Sequence, residues 1–383
     1  MKNILILVTV SSAGGAVKST CLLAENLRER KYHVTLVTLN NDSPQDLDFN
    51  GEIIDLKSQY KSKQVMRLAS LFKIISLLKK KSPDIVFCSD SPVLAGLVCF
   101  ALKLTPLKNK TKCYHIQRNT YSGGFERFKK AARFFLVPIL SWGFKKIYCS
   151  LDKVITISDG VANDLLQHKL LPASNLVTIY NPVVNHNVEV MQKESVSHAY
   201  FDIPGVKIII GAGVLIRRKG FHVLIEAFAM LERSIPNMRL LILGQEPKYY
   251  DTEEPEKLRL MIKKFNLEDK VSLVGYVKNP FAYFVRADVF VLSSYEEGLS
   301  RVLIEAMACG ATPVSTDCVA GPSEILENGK YGYLVPVGDA KLMAEGIKLA
   351  LEKPMAFHLL KERASYFSVE RSIDQYVALI SER

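Results

Sequence analysis

The sequence predicts an α/β protein made of two tandem Rossmann-like domains, each a doubly wound parallel sheet, facing a central cleft. Three observations carry that prediction. Apolar runs of strand length alternate with segments of helical period through both halves of the 383 residues. A polar, aperiodic stretch with prolines at both ends, "NPVVNHNVEVMQKESVSHAYFDIPG", interrupts the alternation around 181–206 and reads as an interdomain linker. The charge also divides there: residues 1–185 hold 26 basic and 13 acidic side chains, whereas residues 186–383 hold 24 and 26. We therefore expect domains at 1–185 and 186–383, with the last helix able to pack back on the first.

The first half opens with "NILILVTV" and "HVTLVTL", two runs apolar enough to be buried on both faces, as parallel strands are. Between them "VKSTCLLAENLRERK" places Val17, Leu22, Leu23 and Leu27 on or near one helical face. A weak strand "GEIIDL", a helix at 64–80, strand "DIVFCS" and a helix at 91–104 follow. Strand "KCYHIQ", a helical region at 125–146 and strand "KVITIS" complete the half. The second half repeats the scheme. Strand "KIIIGAG" leads to a helix striped with Leu224, Ile225, Phe228 and Leu231. Strand "MRLLILG", a helix at 254–265, strand "VSLVGYV", a short helix "NPFAYFVRA" and strand "VFVLSS" come next. "LSRVLIEAMACG" is a helix closed by Gly310, "TPVSTD" and "GYLVP" are short strands, and 339–352 is helical. Ligands of such sheets bind at the carboxyl ends of the strands.

Composition excludes several classes. An apolar content of 48% with 23% charged residues describes a folded globular protein. Seven scattered cysteines without a C-x-x-C pair argue against a zinc cage or a disulfide framework and for a reducing, cytoplasmic setting. The apolar run from Ile4 to Val10 after Lys2 is read as a first strand rather than a secretory leader. No stretch reaches the roughly 18 apolar residues of a membrane span. The segment 51–146 holds 19 basic and only 5 acidic residues, which points to an anionic partner. Phospholipid, lipid-linked phosphate and nucleic acid would all fit the charge. No DNA-reading motif or RNA-binding aromatic pattern is present, so no nucleic-acid partner is expected. The helix at 64–81 carries Leu68, Leu71, Phe72, Ile75 and Leu78 as a stripe and reads as packed on the sheet. "FERFKKAARFFLVPILSWGFKK" at 125–146 brackets an apolar middle containing Trp142 with basic ends, the pattern of an interfacial segment on an anionic inner membrane surface.

Two stretches carry candidate chemistry. "SSAGGAVKST" at 11–20 has the glycines and lysine of a phosphate loop, but Ala16 and Val17 separate Gly15 from Lys18. The G-x-x-x-x-G-K-[ST] spacing that wraps a β-phosphate is absent. Gly14 and Gly15 then serve a tight strand-to-helix turn, or a close ligand approach to the helix N-terminus. "SSYEEGLSRVLIEAMACG" at 293–310 is more informative. Glu297 and Glu305 are eight apart, just over two helical turns, so they would lie on roughly one face of a helix starting near Gly298. A helix N-terminus after a strand suits a pyrophosphate, a carboxylate two turns on can accept from a ribose, and one at the loop can orient a sugar hydroxyl. The alternative is a solvated helix with two surface glutamates. "DLD" at 46–48 imitates a metal-binding D-x-D but lies in a polar loop, and no metal is expected.

The Glu-x7-Glu of "EEGLSRVLIEAMACG" resembles the signature of the family 4 retaining glycosyltransferases, which have the GT-B fold. "GAGVLIRRKGFHVLIEAF", "STDCVAGPSEIL", "GKYGYLVPVGD", "GGA" at 14–16, "ITISDGVANDL" and "YNPV" resemble further blocks of that family, in order. The resemblance implies a nucleotide-sugar donor held mainly by the second domain, with no cofactor or metal. Glu305 would hold the ribose, Glu297 the transferred sugar, and the N–H groups around Gly298, Leu299, Ser300 and Arg301 the diphosphate. Lys219 would neutralise the leaving phosphates, Tyr276 and Val277 would border the base, and Gly14 and Gly15 would close over the donor. On the acceptor side it implies Arg118, with Asn119 beside it, or His115. Three departures stand out. Val214 replaces the family's arginine, leaving Arg217 or Arg218 to supply the charge, with Arg218 preferred. The register of His115 against Arg118 is open. Gly-Leu-Ser follows Glu297 where Gly-Phe-Gly is common.

The expected activity is transfer of a sugar from a UDP-sugar, with retention, to a lipid-linked or saccharide acceptor of a surface glycan. The expected location is the cytoplasmic face of the inner membrane. The rival readings are a nucleotide-sugar epimerase of the same fold and a basic, non-enzymatic binding protein.

Overall fold

In a computed structural model, residues 1–8, 15–39, 47–56, 63–89, 91–124, 137–185, 187–248 and 250–382 are described. The chain forms two compact units: Met1–Pro182 together with Val369–Arg383, and Val183–Ser368.

The first unit holds strands β1 (Asn3–Val8), β2 (His33–Thr38), β3 (Glu52–Asp55), β4 (Ile85–Ser89), β5 (Lys112–Gln117), β6 (Lys153–Thr156) and β7 (Leu176–Thr178). They pair in the order β3-β2-β1-β4-β5-β6-β7, every pair parallel. Helices α1 (Gly15–Glu29), α2 (Lys63–Lys81), α3 (Pro92–Lys103), α4 (Val137–Tyr148) and α5 (Asp159–Gln167) join them. Parallel strands buried on both faces explain the unbroken apolar runs: Ile4 through Val8 are each at most 2% exposed. The serine before α3 caps it, Ser91 Oγ accepting from Leu94 N at 3.3 Å, and Ser158 Oγ caps α5 from Val161 N at 3.2 Å.

The predicted stripe of α2 is corrected at Phe72, and the side chain of Leu68 lies outside those described. Phe72 is 69% exposed. The core-facing residues are Ile74, Leu77 and Leu78, with Leu71 and Ile75 partly buried beside them. The apolar positions of this helix exceed one face, so spacing alone did not fix which face turns inward. Residues 125–136 of the predicted interfacial segment lie outside the described residues; α4 carries its remainder.

The second unit holds β8 (Lys207–Ala212), β9 (Met238–Leu243), β10 (Val271–Gly275), β11 (Val289–Leu292), β12 (Thr312–Thr316) and β13 (Tyr333–Val335), in the order β10-β9-β8-β11-β12-β13 and again all parallel. Its helices are α6 (Val188–Met191), α7 (Phe221–Glu232), α8 (Glu254–Lys264), α9 (Phe281–Phe284), α10 (Arg301–Ala308), α11 (Pro322–Ile325), α12 (Ala340–Glu352) and α13 (Phe357–Ser365). Leu224, Ile225, Phe228 and Leu231, the stripe read from sequence, lie in its core with Leu240, Ile242 and Val291. The polar stretch expected as a linker is part of this unit from Val183 onward, where Val183 N and Val184 N both donate to Phe367 O.

The last helix, α14 (Val369–Ser381), belongs to the first unit. It buries Val369, Ile373, Tyr376, Leu379 and Ile380, each contributing roughly 1.5–3 kcal/mol if fully removed from water. Tyr376 meets Phe87 of β4 edge-on at 5.8 Å, and Ser372 Oγ donates to Tyr180 O at 2.7 Å.

Candidate active site

In the second sheet the strand order reverses between β8 and β11, so the chain leaves these neighbours in opposite directions and opens a crevice at their carboxyl ends. Two loops meet there. The one after β8 tightens into a single turn at Arg217–Lys219 before Gly220 starts α7. Gly220 has φ 65°, and a Cβ on it would lie 2.0 Å from Ser293 O, so a larger residue would force the two loops apart. Gly244 is held as closely: a Cβ there would meet Gly213 O at 1.7 Å.

The loop after β11 carries Glu297. Lys219 Nζ donates to Glu297 Oε1 at 2.6 Å, and Ser294 Oγ donates to the same oxygen at 2.7 Å. The pair is largely buried, the Lys219 side chain being 15% exposed and that of Glu297 8%. Burial alone would raise the Glu297 pKa. The Lys219 and Arg218 charges, with the hydrogen bonds from Lys219 and Ser294, outweigh it and hold the carboxyl below its ordinary value. Glu297 is therefore an anion locked to a cation, not a free base. Thr316 Oγ1 anchors the same loop from β12 by donating to Ser294 O at 2.6 Å.

Helix α10 begins at Arg301, with Ser300 as its extended cap. Glu297 thus precedes the helix, and the expectation that Glu297 and Glu305 share one helical face is corrected. Three residues of non-helical backbone, Gly298 to Ser300, separate Glu297 from the first helical turn. Gly298, Leu299 and Ser300 are buried here at the positive end of α10, and Ser300 Oγ, also buried, makes no hydrogen bond. Glu305, 8% exposed, accepts from Arg301 Nη2 at 3.1 Å one turn into the helix. A cation, a helix N-terminus and a second carboxylate are thus grouped on one unit.

The other predicted residues divide clearly. Arg218 Nη1 donates to Glu296 O at 3.0 Å, beside Glu297. Arg217 instead is 61% exposed and approaches Glu254 at 3.8 Å. Of the two candidates to replace the cation missing at Val214, Arg218 is the one the fold brings to Glu297. Tyr276, 55% exposed, and half-buried Val277 follow the edge strand β10 at the same carboxyl ends of the sheet. In the first unit, His115 is fully buried, its ring bonded to Cys88 O at 3.0 Å and Gln117 Oε1 at 2.8 Å, so it presents no surface to an acceptor. Arg118 is 6% exposed and donates to Ser89 Oγ, Asn181 Oδ1 and Thr20 Oγ1 at 2.9, 2.9 and 2.8 Å. Asn119 is exposed. Gly15 is the exposed first residue of α1, while Gly14 lies outside the described residues. Asp48 of the "DLD" stretch is exposed, and Asp46 lies outside them.

Sequence reasoning missed His222 and Tyr295. Neither has a motif of its own, and each is a common residue type at a helix start or loop. Their rings stack at 5.7 Å and 12°, with His222 Nε2 3.0 Å from Tyr295 Oη.

Two all-parallel sheets, one of them with a cation and carboxylates at its switch point, make an α/β protein with a ligand crevice at the strand ends. Comparison with known proteins narrows the class. Residues 197–367 match the family model described as glycosyl transferases group 1, and residues 13–185 match glycosyltransferase family 4. The chain belongs to the family 4 glycosyltransferases and is a glycosyltransferase, with the GT-B fold. It is 26% identical to a Campylobacter jejuni N-acetylgalactosamine-N,N'-diacetylbacillosaminyl-diphospho-undecaprenol 4-alpha-N-acetylgalactosaminyltransferase, over 95% of this chain and 94% of that protein. It is also 26% identical to the capsular polysaccharide biosynthesis glycosyltransferase CapM of Staphylococcus aureus, over 91% of this chain and 88% of the relative. Among solved structures, Anabaena HepE in complex with UDP-glucose superposes with a TM-score of 0.79 at 18% identity, covering 100% of both chains.

Proposed function

We propose that this glycosyltransferase takes a sugar from a uridine diphosphate sugar and passes it, with retention, to a lipid-linked or saccharide acceptor of a surface glycan. The observation that carries the donor assignment is the buried Lys219–Glu297 pair beside the N-terminus of α10, with Glu305 one turn further. The relatives in capsule and lipid-linked glycan synthesis, and the UDP-bound neighbour, support the substrate classes.

In the reaction, the bond between the sugar C1 and the β-phosphate oxygen breaks while the acceptor oxygen bonds C1 on the same face. The acceptor proton goes to the departing phosphate. Charge develops on the diphosphate, and Lys219, Arg218 and the N–H groups around Leu299, Ser300 and Arg301 stabilise it in place, without a divalent metal. Glu297, held by Lys219 and Ser294, orients the sugar and is not a nucleophile. Glu305 accepts from the ribose, and Tyr276 and Val277 border the base. Arg118 and Asn119 serve the acceptor side, Arg118 by shaping its buried floor.

The first unit meets an anionic membrane surface in this reading. Among the described residues no helix is long and apolar enough to cross a membrane. Helices α2, α3 and α4 instead expose Phe72, Phe100 and Trp142, Leu104 is exposed just after α3, and Lys146 Nζ lies 5.5 Å over the Trp142 ring. Sedimentation with phosphatidylglycerol vesicles, and not with phosphatidylcholine vesicles, is expected; equal recovery with both would remove the anionic partner.

Thermal stabilisation screened with UDP-, GDP- and ADP-sugars tests the donor. A UDP-sugar is expected to raise Tm, and Glu305→Ala to weaken that donor by about tenfold, the effect of one lost charged hydrogen bond. Absence of stabilisation by any of the three classes would sink the reading.

A further inference from the structure

Glu297 sits in eight residues without regular structure, 293–300, between β11 and α10. Their register against the loop carrying Lys219 sets the pair's geometry, so the ties between the two loops matter. Three of them involve the backbone. Ser293 Oγ donates to Lys219 O at 2.8 Å, Tyr295 N donates to Arg218 O at 2.8 Å, and Arg218 Nη1 donates to Glu296 O. Besides the Lys219–Glu297 pair itself, one further tie joins two side chains, the stacked rings of His222 and Tyr295.

His222 is the second residue of α7, its side chain 13% exposed. Its Nδ1 is buried, makes no hydrogen bond, and faces Glu254 Oε1 at 3.6 Å; Glu254 itself is 4% exposed. Burial, with the nearby Arg217 charge, pushes the His222 pKa down to about 4, so the ring is neutral near pH 7 and carries one N–H. With the proton on Nε2, a bare Nδ1 lone pair would face the Glu254 carboxyl. With it on Nδ1, the N–H points to that carboxyl and Nε2 accepts from the Tyr295 hydroxyl. The second arrangement leaves no buried lone pair opposed to an oxygen. Gly338 completes the seat: a Cβ there would press on Tyr295 Cε1 at 3.3 Å.

We infer that Glu254, His222 and Tyr295 form a positioning chain that sets the register of residues 295–297 against 217–219, and so holds Glu297 on Lys219. Glu254 fixes the His222 tautomer, His222 accepts from the Tyr295 phenol, and Tyr295 holds the loop. None of the three need touch the donor. The consequence for catalysis rests on the donor-site reading above; the mechanical claim does not.

The test therefore has two arms. Amide hydrogen exchange across 293–300 is compared in wild type, Tyr295→Phe, His222→Phe and His222→Gln. Tyr295→Phe keeps the ring and loses only the hydroxyl. Tenfold faster exchange confined to this segment is expected in both phenylalanine variants, with His222→Gln, whose amide oxygen can accept, near wild type. The double variant is expected to match either single, because both remove the same bond. Unchanged exchange in both phenylalanine variants, or additive effects in the double, would overturn the chain whatever the enzyme does. In the second arm, sugar transfer is measured. A fall of about fivefold in kcat, with KM for the donor within twofold of wild type, is the expected split. Faster exchange with unchanged kcat would overturn the catalytic consequence. Wild type inactive with every nucleotide-sugar would instead remove the donor-site reading and leave the exchange result standing.

Discussion

Both sheets share one strand order up to the last edge, and both bring a basic side chain to the carboxyl ends of their strands. They use it differently. In the second unit Lys219 meets a carboxylate, Glu297, beside the dipole of α10, and keeps 15% of its side chain accessible. In the first unit Arg118 is 6% exposed, and its guanidinium reaches Ser89 at the end of β4, Thr20 in α1 and Asn181. The lysine is partly accessible and next to an anion, the position that the proposed donor role requires. The arginine ties three segments of one unit together. The same architecture thus yields one edge built for charge and one built on a structural cation. A positively charged residue at a strand end is not by itself a site.

The contrast breaks most visibly at Lys219. Lys219→Met is expected to lower kcat/KM by about 100- to 1,000-fold, the scale of losing one preorganised donor to the developing charge. It also strands Glu297 as a buried anion, at a cost of about 3–5 kcal/mol in unfolding free energy. Adding Glu297→Gln is expected to restore most of that stability, read by denaturant unfolding, without restoring activity. Arg118→Leu comes next. Ser89, Thr20 and Asn181 lose their shared donor, and about 3–5 kcal/mol of stability is expected to go with it. UDP affinity, measured below the lowered Tm, is expected to stay within twofold.

Gly15→Val sharpens the comparison from the first unit's side. Gly15 starts α1 and is exposed, so the substitution is expected to shift Tm by less than about 3 °C. Transfer is expected to drop several-fold while UDP affinity is unchanged; equal loss of both would argue against a role of Gly15 in the transfer step. The smallest effect concerns pH. The His222 pKa is depressed from 6.5 to about 4, so the folded state binds fewer protons than the unfolded chain between those values. Stability therefore falls as pH drops from about 6.5 to about 4, and His222→Phe is expected to flatten that slope in Tm measured against pH. An unchanged slope would mean that His222 is not buried as a neutral ring.

Much of this was legible beforehand because the periods are strong. Continuous apolar runs such as Ile4–Val8 and Ile208–Ala212 fit strands buried on both faces, and the Leu224 to Leu231 stripe fits a helix on a sheet. The site's key carboxylates were legible too, but their backbone was not. Glu297 precedes α10 because Ser300 is the cap, and a spacing of eight fits loop-plus-helix as readily as helix alone. His115 lies within β5 and Arg118 just past its end, and sequence cannot say that both are buried or which contacts hold them. His222 and Tyr295, 73 residues apart, meet only through the pairing of β8 with β11, a long-range contact with no local signature.

The proposed donor site assigns the nucleotide to the second unit's charged edge and not to the buried arginine of the first. Calorimetric titration of UDP into wild type, Lys219→Met, Glu305→Ala and Arg118→Lys tests it directly. Tenfold or greater weakening in the first two variants, with Arg118→Lys within twofold of wild type, is predicted. Undiminished binding by Lys219→Met and Glu305→Ala, with loss in Arg118→Lys, would contradict it.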